Sequence, residues 1–226
     1  MIFRQLFDSV SSTYTYIVAE KNGEAMIIDP VKAHVNGYVQ LIKDLNLKLV
    51  FAIDTHVHAD HITGSGDLED LTECVSVMGD MTKATCVSRR VTEGETIRVG
   101  AQSIKTLYTP GHTDDSYSFL MKDRVFTGDT LLIRSTGRTD FQNGNASQQY
   151  DSIFNKLLKL DDDVMLYPAH DYKGWTVSTI GEEKAHNPRL KVASEQEYVA
   201  MMNALKLDNP KLMDIAVPAN LKCGRG

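Results

Sequence analysis

Four side chains able to bind a metal fall within six residues of this sequence, in Thr55-His56-Val57-His58-Ala59-Asp60-His61. No other stretch restricts the possible folds as strongly, because such a group works only where the rest of the chain brings matching ligands to it. His56 and His58 are two positions apart, so an extended backbone points both rings to one side. Residues 47–53 are an apolar run that reads as a strand ending just before them, and Asp60 and His61 follow where the chain turns toward a helix. The matching groups come later, in Thr109-Pro110-Gly111-His112-Thr113, Phe126-Thr127-Gly128-Asp129-Thr130 and Pro168-Ala169-His170-Asp171. Each follows a strand-like run, where a rigid scaffold fixes the origin of the loop and suits it for chemistry.

Each of these residues has a plainer explanation when taken alone. Asp60 fits a helix N-cap, Asp129 a turn cap, and His170 a core histidine satisfied by backbone. Together those explanations fail, because five of the seven histidines and two aspartates stand in four short motifs at strand ends. A metal site accounts for all of them at once. His34 and His186 lie outside the motifs and are expected at the surface.

The intervening sequence alternates strand-like and helix-like segments. Residues 14–20 and 24–29 are rich in β-branched and aromatic side chains, with Asn22-Gly23 between them as a hairpin turn. Residues 35–45 have helical spacing, and 103–108, 116–121, 124–126 and 164–167 read as strands. Residues 149–160 are expected to form one amphipathic helix, with Ile153, Leu157 and Leu160 on one face, and 195–205 another. No linker rich in Pro, Gly or Ser interrupts the chain, so residues 1–226 are expected to form a single domain.

Composition narrows the function classes. A formal net charge of −6 argues against nucleic-acid binding, which needs surplus cations for phosphates. No apolar run reaches the ~18–20 residues that span a bilayer, and the N-terminus lacks a signal-peptide pattern, so a cytoplasmic protein without membrane attachment is expected. Cys74, Cys86 and Cys223 are odd in number and well separated. They are expected to be small, buried apolar residues in a reducing compartment, without a disulfide framework.

The first motif, followed by Gly111-His112, Gly128-Asp129 and His170, resembles the metallo-β-lactamase superfamily in order and over nearly the whole chain. That resemblance implies an α/β fold, an αββα sandwich of two mixed β-sheets flanked by helices, with a metal site at one edge of the sheets. It leaves two site designs. In a binuclear hydrolase of the glyoxalase II kind, acting on glutathione thioesters, His56, His58 and His112 would hold one metal. Asp60, His61 and His170 would hold the second, and Asp129 would bridge. In an oxygenase, His56, His112 and Asp129 would hold one iron(II) per chain and leave positions open for substrate and dioxygen. His58, Asp60, His61, His170 and Asp171 would then surround the ligands and orient them.

Further segments resemble the persulfide dioxygenases more closely than glyoxalase II. These are Gly128-Asp129-Thr130-Leu131-Leu132-Ile133-Arg134 with Gly137-Arg138-Thr139-Asp140-Phe141-Gln142, then His170-Asp171-Tyr172-Lys173-Gly174, then Asn187-Pro188-Arg189-Leu190. One departure is visible: Ser135-Thr136 precedes Gly137 where that pattern carries a cysteine. The chain also stops soon after residue 205, leaving little room for the larger helical C-terminal region of glyoxalase II. The implied substrates are glutathione persulfide and O2, and the implied products sulfite and glutathione. Glutathione carries two carboxylates, so Arg138 and Lys173 are the first candidates to hold it. Tyr172, Arg189 and Arg134 follow. A non-enzymatic binding module is the weakest reading, because no ligand position of the pattern is missing. A self-complementary dimer is common among enzymes of this size.

Overall fold

The computed structural model describes residues 1–21, 23–208 and 212–225. Strands β1 (Ile2–Asp8), β2 (Thr13–Ala19) and β3 (Glu24–Ile28) form an antiparallel meander. Of the turn expected between β2 and β3, Asn22 lies outside the described residues. Helix α1 (Val35–Asp44) carries the chain to β4 (Lys48–Ile53), which joins β3 in parallel. After the histidine-rich loop come α2 (Ser65–Thr72), β5 (Val75–Gly79) and β6 (Arg89–Val91), completing a six-stranded mixed sheet in sequential order.

The second sheet begins with β7 (Thr96–Val99), β8 (Gln102–Tyr108), β9 (Tyr117–Leu120) and β10 (Arg124–Gly128). A short hairpin follows, β11 (Leu131–Leu132) with β12 (Ser135–Thr136), and then α3 (Ala146–Tyr150). Strand β13 (Met165–Pro168) pairs parallel to β10, and β14 (Ser178–Thr179) closes the edge. Helices α4 (Ile180–His186), α5 (Glu195–Asn203) and α6 (Met213–Asn220) follow. No helix among the described residues is long and apolar enough to cross a membrane.

The period-two alternation explains the layering. Tyr16 and Val18 of β2 point between the sheets, where they meet Ile28, Ile53, Phe119 and Phe126. Ile17 and Ala19 point the other way and pack with Ile27 against Val35, Tyr38 and Ile42 of α1. Every residue of β2 is buried for this reason. The outer face of the second sheet, through Leu107, Val125 and Leu166, meets Ile153, Leu157, Ile180 and Tyr198. Burying side chains of this size contributes about 1.5–3 kcal/mol each. The result is the αββα sandwich, and the loops after β4, β8, β10 and β13 carry the metal-binding motifs.

Two expectations need correction. Residues 149–160 are not one regular helix: α3 passes into a wider π-type turn over Asp151–Lys156 and then a 3-10 turn over Leu157–Lys159. Ile153 and Leu157 are still buried, so the apolar face survives the change of pitch. The cysteines are also not all free. Cys86 and Cys223 form a disulfide across 137 residues, and only Cys74 remains a buried thiol among the described residues. Sequence separation hid the pair, since only the tertiary fold brings the two together.

Candidate metal centre

The loop leaving β4 is braced before it reaches its ligands. Asp54 accepts bonds from the Thr63 hydroxyl at 2.8 and 3.0 Å, tying the start of the loop to its end. Asp29, just after β3, accepts from the Thr55 amide at 2.8 Å and lies 3.0 Å from His58 Nε2. With the loop fixed in this way, the His56 and His58 rings sit 4.1 Å apart on one side, as their spacing implied. Asp60 is no N-cap, because α2 begins later, with Gly64 at its N-cap position.

The other ligands arrive on equally constrained turns. Gly111 has φ +138°, and a Cβ there would lie 2.3 Å from Cα of Gln149, so glycine alone lets this turn abut α3. His112 follows it and donates from Nδ1 to the Arg138 carbonyl at 2.8 Å. Gly128 has φ +53°, and a Cβ there would meet the Thr55 hydroxyl at 2.8 Å, so the β10 loop packs directly on the first motif.

His56, His112 and Asp129 come together with ligand atoms all within 4.8 Å of one another, and all three are buried. The nitrogens facing away from the centre are already engaged. His56 Nδ1 lies 2.9 Å from the Thr55 hydroxyl and His112 Nδ1 is held by Arg138, which leaves each Nε2 for a cation. One Asp129 oxygen accepts from His170 Nδ1 at 2.7 Å, and the other lies 3.6 Å from His112 Nε2. Outer partners that fix ring orientation in this way are the usual support of a metal site. A second group, His58, Asp60, His61 and His170, also lies within 4.8 Å.

Electrostatics separate the residues of the centre. Burial, reinforced by His58 and His112, pulls the basicity of His56 far down, so its lone pair stays available. Burial alone would raise the Asp129 carboxyl, but His170 outweighs it and keeps the group ionised. Burial likewise works against a charged His170, yet Asp129 and Asp60 together hold it protonated. At His58 burial again opposes protonation, and Asp29 overcomes it, lifting the ring to about 9.

Beside the centre opens a cavity of about 640 Å³, lined among others by Asp60, His112, Asp129, His170, Arg138, Tyr172, Lys173 and Arg189. Four of the five residues expected to hold substrate therefore reach one space. Their states differ. Arg138 is committed to Asp140, at 2.6 and 2.7 Å, and to the Asp208 carbonyl at 2.6 Å. Arg189 is half-buried on the Thr136 carbonyl at 2.6 Å. Lys173 is exposed and has no ion pair among the described residues, and Tyr172 lies 70% exposed with its ring stacked on His170. Arg134 does not line the cavity; it pairs with buried Glu183. Asp171 departs from its expected role. Its carboxylate accepts from the amides of Lys173 and Trp175 at 2.8 and 2.7 Å and shapes that turn, without bonding to a ligand.

Sequence reasoning missed the braces Asp29, Asp54 and Thr13. Asp29 carried a signal, since it too is an aspartate directly after a strand. Thr13 carried none: its hydroxyl reaches His170 Nε2 at 3.0 Å only because β1 and β2 turn there.

The metallo-beta-lactamase superfamily signature matches residues 87–170. Mouse mitochondrial persulfide dioxygenase ETHE1 is 45% identical over 99% of this chain and 89% of its own length. The chain belongs to the persulfide dioxygenase family. A crystal structure of ETHE1 from Myxococcus xanthus superimposes with a TM-score of 0.96 at 53% identity, covering 100% of both chains. A hydroxyacylglutathione hydrolase from Dictyostelium discoideum is more distant, 31% identical over 70% of this chain and 62% of its own. The family pattern and the geometry coincide at the metal-binding loops. Where the cysteine was expected before Gly137, Thr136 serves a packed role, its hydroxyl accepting from Arg189 at 3.1 Å and from Tyr198 at 3.3 Å.

Proposed function

We propose that this chain is an iron(II)-dependent persulfide dioxygenase that converts glutathione persulfide, dioxygen and water to sulfite and glutathione. The observation that carries the reading is the convergence of two histidines and one carboxylate, His56, His112 and Asp129, each with its outer atom already held. The donor set fits iron(II), with nitrogen and oxygen ligands on one side and an open cavity on the other. Iron bound there supplies the activation of dioxygen and a site for the soft terminal sulfur of the persulfide.

The rest of the work falls to the protein. Burial of the three ligands keeps bulk water from the reacting sulfur. The charged His170 offsets Asp129 and Asp60, so an anionic persulfide meets less repulsion. Lys173, with its charge unspent, is the better match for a glutathione carboxylate, while Arg138 holds the wall at Leu207 and Asp208. Lys173→Ala is therefore expected to raise KM several-fold with kcat and iron content unchanged, as measured by oxygen-uptake kinetics. Lost iron at unchanged KM would remove Lys173 from the substrate site.

A specific observation favours the binuclear hydrolase as a second reading. His58 Nδ1 and His61 Nε2 are buried without a hydrogen-bond partner, as free ligand atoms would be if His58 held the first metal of that design and His61 the second. Against it, the chain is 45% identical over 99% of its length to a persulfide dioxygenase, and only 31% identical over 70% to a hydroxyacylglutathione hydrolase. Metal analysis of anaerobically purified protein decides between them: one iron per chain is expected, and two metals per chain would support thioester hydrolysis. The cytoplasmic expectation rests on the sequence, and the mouse relative is described as mitochondrial.

A further inference from the structure

The C-terminal segment crosses back over the metal-bearing loop and is bonded to it at several points. Asn220, at the end of α6 and 3% exposed, donates from Nδ2 to the carbonyls of His58 and His61, both at 2.8 Å. Its Oδ1 accepts from the Thr63 amide at 2.9 Å. One side chain thus satisfies three backbone groups of a loop that no strand or helix satisfies. The fit is close, since a Cβ on Gly224 would fall 2.0 Å from the Thr63 carbonyl. Lys32 donates to the Gly224 carbonyl at 2.6 Å, and Arg225 pairs with Glu69 and Asp70 of α2. The covalent anchor of this strap is the disulfide from Cys223 to Cys86, and Cys86 is only half-buried.

We propose that the Cys86–Cys223 disulfide is a thiol-sensitive latch on the metal-bearing loop, with Asn220 as the positioning residue that transmits its state. With the disulfide closed, the strap has little freedom and Asn220 stays seated on residues 58–63. A low-molecular-weight thiol attacks as thiolate at Cys86, forming a mixed disulfide and releasing Cys223 as the leaving thiolate. A second thiol resolves the mixed disulfide. Two thiols thereby give two electrons and two protons to the pair, leaving as their own disulfide, and Cys86 and Cys223 become thiols. The tether is then lost, and Asn220 is held by noncovalent contacts alone. The latch rests on the disulfide and Asn220, and depends on the proposed activity only for one consequence. The glutathione released by that activity is itself such a thiol, so product would loosen the site.

The test uses the metal-free full chain, so its outcome is independent of which reaction the centre performs. Amide hydrogen exchange of residues 58–64 is measured before and after reduction with dithiothreitol. Exchange is expected to accelerate about tenfold in that loop on reduction, because local opening becomes easier once the tether is gone, while β3 and β4 keep their protection. Asn220→Ala should show the fast rate with the disulfide intact, and Cys86→Ser should be fast and indifferent to thiol. In metal-loaded wild-type protein, reduction should speed extraction by a chelator to a similar degree. Equal loop exchange in oxidised and reduced wild-type protein would overturn the latch, as would three titratable thiols in the denatured, unreduced chain. Because wild-type protein provides the main comparison, a variant that fails to fold does not weaken the test.

Discussion

Asp129→Asn is expected to strip most of the metal and to cut oxygen uptake by more than about 100-fold at equal chain concentration. Loss of even an outer support costs about 10–100-fold, and Asp129 is the only carboxylate of its group. The substitution keeps the shape of the side chain and removes its charge. One oxygen still meets His170 at 2.7 Å in the native protein, so the amide would face that ring with either a weaker acceptor or a clashing donor. His170 would also lose one of the two carboxylates that hold it protonated. Asp171→Asn is the control, because Asp171 braces the adjacent turn and touches no ligand. It should spare metal content. If Asp129→Asn retained a full complement of metal and uptake within about tenfold of native, the ligand assignment would pass to His58, Asp60, His61 and His170.

The second large effect is on stability and lies away from the metal. Glu183 has no exposed side-chain surface, yet it is held by four groups: the Arg134 guanidinium, the Arg134 amide at 2.8 Å, the Ser178 hydroxyl at 2.6 Å and Asn187 Nδ2 at 2.8 Å. Arg134 itself stands at φ +55° in the turn between β11 and β12, stacked 5.1 Å from the Trp175 ring centre. Arg134→Ala leaves a buried carboxylate without its charge partner, a change that costs about 3–5 kcal/mol. The midpoint of thermal unfolding should fall by roughly 10 °C. Adding Glu183→Gln should recover part of the loss, since a neutral amide is less costly to bury than an unpaired charge. An Arg134→Ala protein melting within about 2 °C of native would mean that the pair contributes nothing net. KM should not change beyond the effect of unfolding, which separates Arg134 from the cavity residues.

How much of this could be read from the sequence depends on the range of each interaction. Strands such as Glu24–Ile28 and Lys48–Ile53 and the helix Val35–Asp44 follow from local apolar period, and they emerge within a residue or two of expectation. The histidines and aspartates that the fold gathers were legible because both residue types are conspicuous at strand ends. Strand Ile2–Asp8 was not, since Arg4 and Gln5 interrupt its apolar residues and its identity comes from pairing with Thr13–Ala19. The helix expected after the first motif is there at Ser65–Thr72, but Met213–Asn220, which contains Pro218, had no such signal. The Cys86–Cys223 pair and the reach of Asn220 to His58 belong to tertiary structure alone. Sequence also could not tell a free cation from a committed one, and so ranked Arg138 level with Lys173.

The most direct test of the central claim is oxygen uptake on adding glutathione persulfide to anaerobically purified, iron-loaded protein. Rapid uptake, with sulfite formed in proportion to the oxygen consumed, is the result predicted from His56, His112 and Asp129 acting on a substrate in the adjoining cavity. No uptake from fully iron-loaded protein, with hydrolysis of an acylated glutathione instead, would contradict it.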